Sequence, residues 1–254
     1  MISVTCGVRD RAAHLDVSLR SWLACEEVGE VLVVDWTSRE PVTPPHDERA
    51  VLVRVEGQAR WHSSKCHNLE LLLARGEEIL RLDADHVLRP GFFARHPAPE
   101  KGYFYRYAIT PQSPENEKHL AGAVYARREH FMRVGGYNEH LSTYGYEDED
   151  LVRRLIASGL EAQPLAPRDL DPSYMHHLPH GDDARLAAQD VPADICERPP
   201  WAPWSWQPGR VVDDLSNRNR HLVLAHPWSR YDKMTTWRIV AEGPRVYTCE
   251  EVLP

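Results

Sequence analysis

Three short stretches of this chain concentrate groups that could do chemistry. In the first, Leu82-Asp83-Ala84-Asp85-His86, two carboxylates stand two positions apart at the end of an apolar run. A divalent cation carrying a diphosphate needs hard oxygen ligands at a rigid place, and a buried strand end supplies one. The plainer alternative is that Asp83 and Asp85 cap the turn after the strand. In the second, Tyr144-Gly145-Tyr146-Glu147-Asp148-Glu149-Asp150, acids follow one another where a helix begins, and the helix dipole favours them there. At least one is expected to cap the free N–H groups, Asp148 or Asp150 first. Four exceed what capping needs, because their repulsion costs energy unless a metal, a base role or a bound substrate offsets it. In the third, Met175-His176-His177-Leu178-Pro179-His180, imidazoles cluster in a loop flanked by Pro and Gly. Together with a carboxylate pair, such imidazoles suit a borderline cation such as Mn²⁺, whereas Mg²⁺ prefers oxygen and water. There is no His-Glu-x-x-His or Cys-x-x-Cys pattern to support zinc hydrolysis.

The elements that must position these groups are legible from periodicity. Apolar runs at Ile2 to Cys6, Val31 to Asp35, Val51 to Val55 and Ile79 to Asp83 alternate with helical patterns. Between the first two runs, Leu15, Leu19, Trp22 and Leu23 recur at helical spacing. Between the last two, Cys66, Leu69, Leu72 and Leu73 do so, and Gly76 is expected to stop that helix. Alternation of this kind predicts an α/β fold with a mostly parallel central sheet flanked by helices. Ligands in such sheets bind beyond the carboxyl ends of the strands, and two of these runs end on Asp35 and Asp83. Past about residue 103 the pattern becomes mixed, with strands at YFYRYAIT and AGAVYA and a short helix that Gly135-Gly136 ends. The acid-led helix carries Leu151, Leu155 and Ile156 and closes at Gly159. Residues 1–185 are expected to form the main domain, and 186–254 a Trp- and Pro-rich extension packed on it.

Composition narrows the partners. The chain has 254 residues and a net charge of −8, which disfavours broad binding to nucleic acid or anionic lipid, since both need a basic surface. No apolar stretch is long enough for a membrane helix and no leader pattern opens the sequence, so the expected location is cytoplasmic. Five cysteines without close spacing read as reduced thiols.

Taken in order, these motifs resemble the GT-A glycosyltransferases, specifically a family 2-like branch with a galactosyltransferase-type C-terminal half. VTCGVRDRAAHLDVSLRSWL is similar to that family's first strand and helix, and VLVVDWTS to its second strand. WHSSKCHNLELLLARGEEILRLDADHVL resembles the run from an aromatic residue, through a helix bearing an Asn, to the Asp-x-Asp signature. GAVYARREHFMRVGGYNEHLSTYGYEDEDLVRRL resembles the segment from the donor-sugar pocket to the Trp-Gly-Gly-Glu-Asp-Asp-Asp motif. The resemblance covers about residues 2–185. It implies donor contacts from Asp35, Asp83 and Gly122, and metal ligation by Asp85, His177 and His180. It further implies Asp148 as the catalytic base, with Glu147 beside it binding a sugar. The departures are Tyr144 and Tyr146 within the acidic motif, and Ser63 where relatives often carry a phosphate-binding Arg, which leaves Lys65 or Arg60 as substitutes.

The activity expected on these grounds is an inverting, metal-dependent transfer from a nucleotide-sugar, UDP-linked by the family's habit, to a saccharide or other acceptor hydroxyl. Mn²⁺ is the expected cofactor, with Mg²⁺ as alternative. The loop 181–185 is a candidate lid. Two other readings compete. A sugar nucleotidyltransferase shares the scaffold and paired aspartates but usually opens with a Gly-rich basic loop, whereas Gly7-Val8-Arg9-Asp10-Arg11 has a single glycine. A non-catalytic carbohydrate binder would use the tryptophans past residue 185 as its sugar platform.

Overall fold

The computed structural model describes residues 1–43, 46–108, 111–112, 120–142, 145–165, 175–177, 219–225, 234–243 and 245–252, with 175–177 described in backbone alone. In chain order the elements are β1 (Ile2–Val8), α1 (Ala12–Leu23), β2 (Val28–Trp36), β3 (Ala50–Val55), α2 (Ser63–Leu73), β4 (Glu78–Arg81), β5 (His86–Leu88) and α3 (Phe92–Arg95). They continue with β6 (Tyr103–Arg106), β7 (Val124–Arg127), α4 (Arg128–Arg133), α5 (Glu147–Ala157), β8 (Glu161–Pro164), β9 (Met175–His177), β10 (Trp237–Glu242) and β11 (Val246–Glu251).

Nine strands form one sheet in the order β10-β11-β3-β2-β1-β4-β7-β6-β8. From β11 to β4 every neighbour is parallel. Beyond β4 the sheet turns mixed, with β7 antiparallel to β4 and β6 antiparallel to β7. The mostly parallel α/β architecture expected from the sequence is the one observed.

Strand β2 shows why its residues need two apolar faces. Successive side chains of a strand alternate across the sheet. Val31 and Val33 join the core cluster that holds Leu15, Leu19 and Trp22 of α1. Leu32, Val34 and Trp36 join the opposite cluster with Leu69 and Leu71 of α2 and Leu151 and Leu155 of α5. Trp22, fully buried, also donates its indole N–H to the His86 carbonyl at 2.8 Å. Losing a side chain of that size from a packed core costs about 3–5 kcal/mol.

Two expectations need correction. Helix α2 stops at Leu73 with Ala74 as its C-cap, so Gly76 does not end it. Gly76 instead lies against β1, where an added Cβ would meet the Ser3 nitrogen and the Met1 carbonyl oxygen at 2.7 Å. The second concerns the C-terminal region. Residues past 186 supply two strands of the central sheet itself, with Val246 to Cys249 paired in parallel to Leu52 to Val55 of β3. Trp237 packs edge-on against Trp36 with ring centroids 5.5 Å apart. The other tryptophans past 185 lie outside the described residues. Cys6, Cys25, Cys66 and Cys249 are free thiols. Among the described residues no helix is long and apolar enough to cross a membrane.

Candidate functional site

Strand β4 ends at Arg81, and the chain turns through Asp83-Ala84-Asp85 into β5. His86 closes this turn: its backbone N–H donates to the Asp83 carbonyl at 3.0 Å, and its Nδ1 accepts from the Asp83 N–H at 3.2 Å. The turn-capping work therefore falls to an imidazole, and the Asp83 carboxylate is paired with Arg81 at 2.7 Å. Desolvation opposes ionisation of Asp83, but Arg81 and His86 outweigh it and hold the carboxyl below its usual range. Asp85 is buried and meets the Arg11 guanidinium at 2.8 Å, from the start of α1. Strand β5 pairs with β9 so that His86 lies opposite His177. That register brings the backbone of the histidine segment beside the aspartate turn.

The acids of α5 divide their work. Tyr146 is the N-cap, left-handed at φ 72° after Gly145 at φ 88°, and no side chain caps the helix. The expectation that Asp148 or Asp150 caps it fails, because a left-handed Tyr146 starts the helix and the acids all fall inside it. Asp150 pairs with Arg154 at 2.7 Å in the core, and Arg154 also donates to the Val134 and Gly136 carbonyls at 2.8 and 2.7 Å. Glu149 pairs with Arg106 at 3.0 Å. Glu147 is buried beside Ser63, and burial together with the neighbouring Asp148 pushes its carboxyl up to about 7. Asp148 is partly open and lies 3.6 Å from Arg81.

Gly122, just before β7, joins the two regions. A Cβ there would lie 2.4 Å from Arg81 Nη1, 3.0 Å from Asp83 Oδ2 and 3.1 Å from Asp148 Oδ2. The Asp-x-Asp turn and the acid-led helix therefore converge on one glycine, and only hydrogen fits between them. Around it the carboxyl groups of Asp83, Asp85, Glu147 and Asp148 outnumber the guanidinium groups of Arg81 and Arg11. Of these acids, Asp85 and Glu147 are buried, and closely spaced carboxyl groups in excess of cations favour a further positive charge.

Not every residue singled out in the sequence joins this cluster. Asp35 is fully buried, paired with Arg54 at 2.6 Å and accepting from the Ser38 and Val42 N–H groups at 3.1 and 3.0 Å. It fastens the loop after β2 and presents no open carboxylate to a nucleotide. Lys65 pairs with Glu251 of β11 at 2.5 Å. His180 and the loop 181–185 lie outside the described residues. Sequence reasoning missed Arg81, Arg11 and the buried pair His67 and Glu70. A signal for Arg81 existed: it is the one charged residue inside Ile79-Leu80-Arg81-Leu82.

Residues 110–180 match a model described as the N-terminal domain of galactosyltransferase, a stretch that holds Gly122, Glu147, Asp148 and His177. No curated protein matches the chain in sequence. Among solved structures, a Drosophila β1,4-galactosyltransferase 7 mutant in complex with manganese, UDP-Gal and xylobiose aligns over 100% of this chain and 94% of its own, with a TM-score of 0.58 and 13% identity. The mannosyltransferase PcManGT from Pyrobaculum calidifontis, in complex with GDP-Man and Mn²⁺, aligns over 90% and 71%, with a TM-score of 0.51 and 17% identity. The fold is that of the GT-A glycosyltransferases. Within this GT-A fold the aspartate turn follows the central strand β4, and Asp148 from the first turn of α5 meets it beside Gly122.

Proposed function

We propose that this GT-A protein is a metal-dependent, inverting glycosyltransferase that moves a sugar from a nucleoside diphosphate, UDP first, to an acceptor hydroxyl. The observation that carries the reading is the convergence of Asp83 and Asp148 beside Gly122 and Arg81. It joins a strand-end pair of carboxylates, suited to a cation and its diphosphate, to a second acid within reach of a reacting group. The likeness to glycosyltransferases solved with manganese and nucleotide sugars supports the same reading.

The residues present fit a divalent cation. Ligand atoms of Asp83, Asp85 and His86 lie within 4.8 Å of one another, and two of the three groups are hard carboxylates. Because His86 Nδ1 already accepts from the turn, Asp85 and Asp83 are the principal ligands, with His177 and His180 proposed to approach from β9 and beyond. When bound, the cation would supply Lewis-acid stabilisation of the charge that builds on the leaving diphosphate. Asp148 accepts the proton of the attacking hydroxyl, since it is the least enclosed carboxylate facing Arg81 from α5. Asp150 is unsuited to that role because Arg154 holds it in the core. Glu147, largely protonated below about 7, donates a hydrogen bond to a sugar oxygen. Gly122 is proposed to serve the donor side of the site by leaving room for the Arg81, Asp83 and Asp148 side chains to meet. Attack on the face opposite the leaving diphosphate inverts the anomeric carbon.

Calorimetric titration of UDP and GDP, each with Mn²⁺ and with chelator, tests the site. Asp85→Ala should abolish the metal-dependent part of nucleotide binding and leave the metal-free part unchanged. Asp148→Asn should bind the nucleotide normally yet release UDP from UDP-Gal about 10²-fold more slowly, the scale of a lost general base. Equal weakening by Asp85→Ala with and without metal would remove the aspartate turn from the mechanism, and normal turnover in Asp148→Asn would move the base elsewhere.

A further inference from the structure

Arg81 is 3% exposed and lies where strand β4 gives way to the aspartate turn. Its Nη1 donates to the Gly122 carbonyl at 2.7 Å, and its Nη2 meets His67 Nε2 at 2.5 Å. A guanidinium only donates, so His67 Nε2 must accept and carries no proton. The imidazole is therefore neutral, with its hydrogen on Nδ1, and Nδ1 faces Glu70 Oε1 at 2.8 Å. One arrangement of hydrogens satisfies the whole chain from Glu70 through His67 to Arg81. All three side chains are buried, between α2 and the sheet.

Such a chain is a poor choice for stability alone. Burying a carboxylate, an imidazole and a guanidinium is costly, and apolar residues of like volume would hold α2 to the sheet at least as well. What it does supply is direction. The guanidinium is planar with a fixed fork of donors, and anchoring it at Gly122 and His67 fixes that plane. Its remaining reach then falls on Asp83 Oδ1 at 2.7 Å and Asp148 Oδ1 at 3.6 Å, the two acids that flank Gly122. Tyr137, whose ring packs 4.9 Å from that of His67, closes the other side.

We propose that Arg81 is a positioning residue that sets the placement of Asp148 relative to Asp83, and that the Glu70–His67 pair holds its guanidinium in the plane that does so. The inference rests on the roles given above to Asp83 and Asp148. It makes α2, an element with no assigned role in the reaction, the reference from which the two acids are aligned. A merely neutralising Arg81 would need only its charge, and a merely packing His67 only its volume.

The test compares His67→Leu, which keeps bulk and loses the acceptor, with His67→Gln, which keeps an acceptor near the Nε2 position, and with Arg81→Lys, which keeps charge and loses the fork. Release of UDP from UDP-Gal and of GDP from GDP-Man is measured at matched folded fraction, alongside calorimetric binding of UDP with Mn²⁺. His67→Leu and Arg81→Lys should each lower kcat about tenfold or more while KM and nucleotide affinity stay within about threefold, and His67→Gln should stay within about threefold of wild type throughout. Wild-type kcat in His67→Leu or Arg81→Lys overturns the proposal, as does an equal loss in Leu and Gln or a loss of affinity in step with kcat. Crystal structures of the His67 variants give a readout free of turnover. The Arg81 guanidinium should leave Asp148 in the Leu variant and keep its place in the Gln variant, and an unmoved guanidinium in both overturns the inference. A wild type that binds neither nucleotide with Mn²⁺ sinks the functional reading, while the crystallographic comparison still decides the placement of Arg81.

Discussion

Glu147 and Gly122 are the residues through which single-atom changes read most directly on the site. The carboxyl of Glu147 titrates at about 7, above the ordinary glutamate value, because burial and Asp148 disfavour its charge. A group raised in this way contributes stability below its unfolded value, and loses it as pH climbs through the folded one. Glu147→Gln should therefore be close to neutral in Tm at pH 4 and stabilising at pH 8, in chelator, by an amount on the order of a few kcal/mol at most. Parallel melting curves across that range check it, and a Tm difference independent of pH removes the argument. Gly122→Ala inserts a methyl where no space exists, so Arg81, Asp83 and Asp148 must part. Turnover should fall at least about tenfold, because a misplacement on the order of 1 Å in an aligned site costs that much or more. Kinetics on a variant shown to fold by melting reads it directly. The paired aspartates and the acid run were legible in sequence, because both break the expected pattern of a strand end and a helix start. The chain Glu70–His67–Arg81 is not, because His67 and Glu70 on α2 reach Arg81 of β4 only once the helix lies on the sheet. Asp35 shows the converse: its strand-end position invites a ligand role, and only the fold reveals Arg54 beside it.

At the scale of elements, helix α5 owes its placement to a buried pair. Arg154 holds Asp150 one turn back, and through two carbonyls it holds the loop that Gly135 and Gly136 form after α4. The first turn of α5, with Glu147 and Asp148, is thus fixed from its own middle. Arg154→Leu leaves Asp150 as an unpaired buried carboxylate, and should cost about 3–5 kcal/mol, the range for breaking a buried ion pair. Arg154→Leu combined with Asp150→Leu should recover much of that loss. Denaturant titration of the two variants and the single Asp150→Leu tests the coupling, and simple additivity would contradict it. Periodicity made α1, α2 and α5 visible in advance, since Leu15, Leu19 and Trp22, or Leu151 and Leu155, recur on one face. In sequence Gly76 reads as a stop signal for α2, but the helix ends at Leu73 and the value of the glycine lies in its close approach to β1.

For the whole molecule, the feature with most reach is the hairpin β10–β11. It shields the edge of β3, ties Lys65 and Gln58 to Glu251, and packs Trp237 on Trp36. Little in residues 234–252 announces a strand that belongs to the central sheet, because the pairing partner is supplied by the opposite end of the chain. Removal of residues 234–254 should expose the backbone groups of β3 as a pairing template, and the shortened protein is expected to aggregate on expression. Monomeric, cooperative unfolding of that truncation by light scattering and melting would show the hairpin to be dispensable. The same pairing also sets a clock on biosynthesis. Val246 registers with Leu52, so a ribosome adding about 5–20 residues per second exposes β3 for about 10–40 seconds before its neighbour emerges. During that interval the nascent sheet presents an open parallel edge, and a parallel strand so distant in sequence forms slowly. Yield in a cell should then depend on what covers that edge in the meantime, so co-translational chaperone supply is expected to raise the amount of this protein recovered.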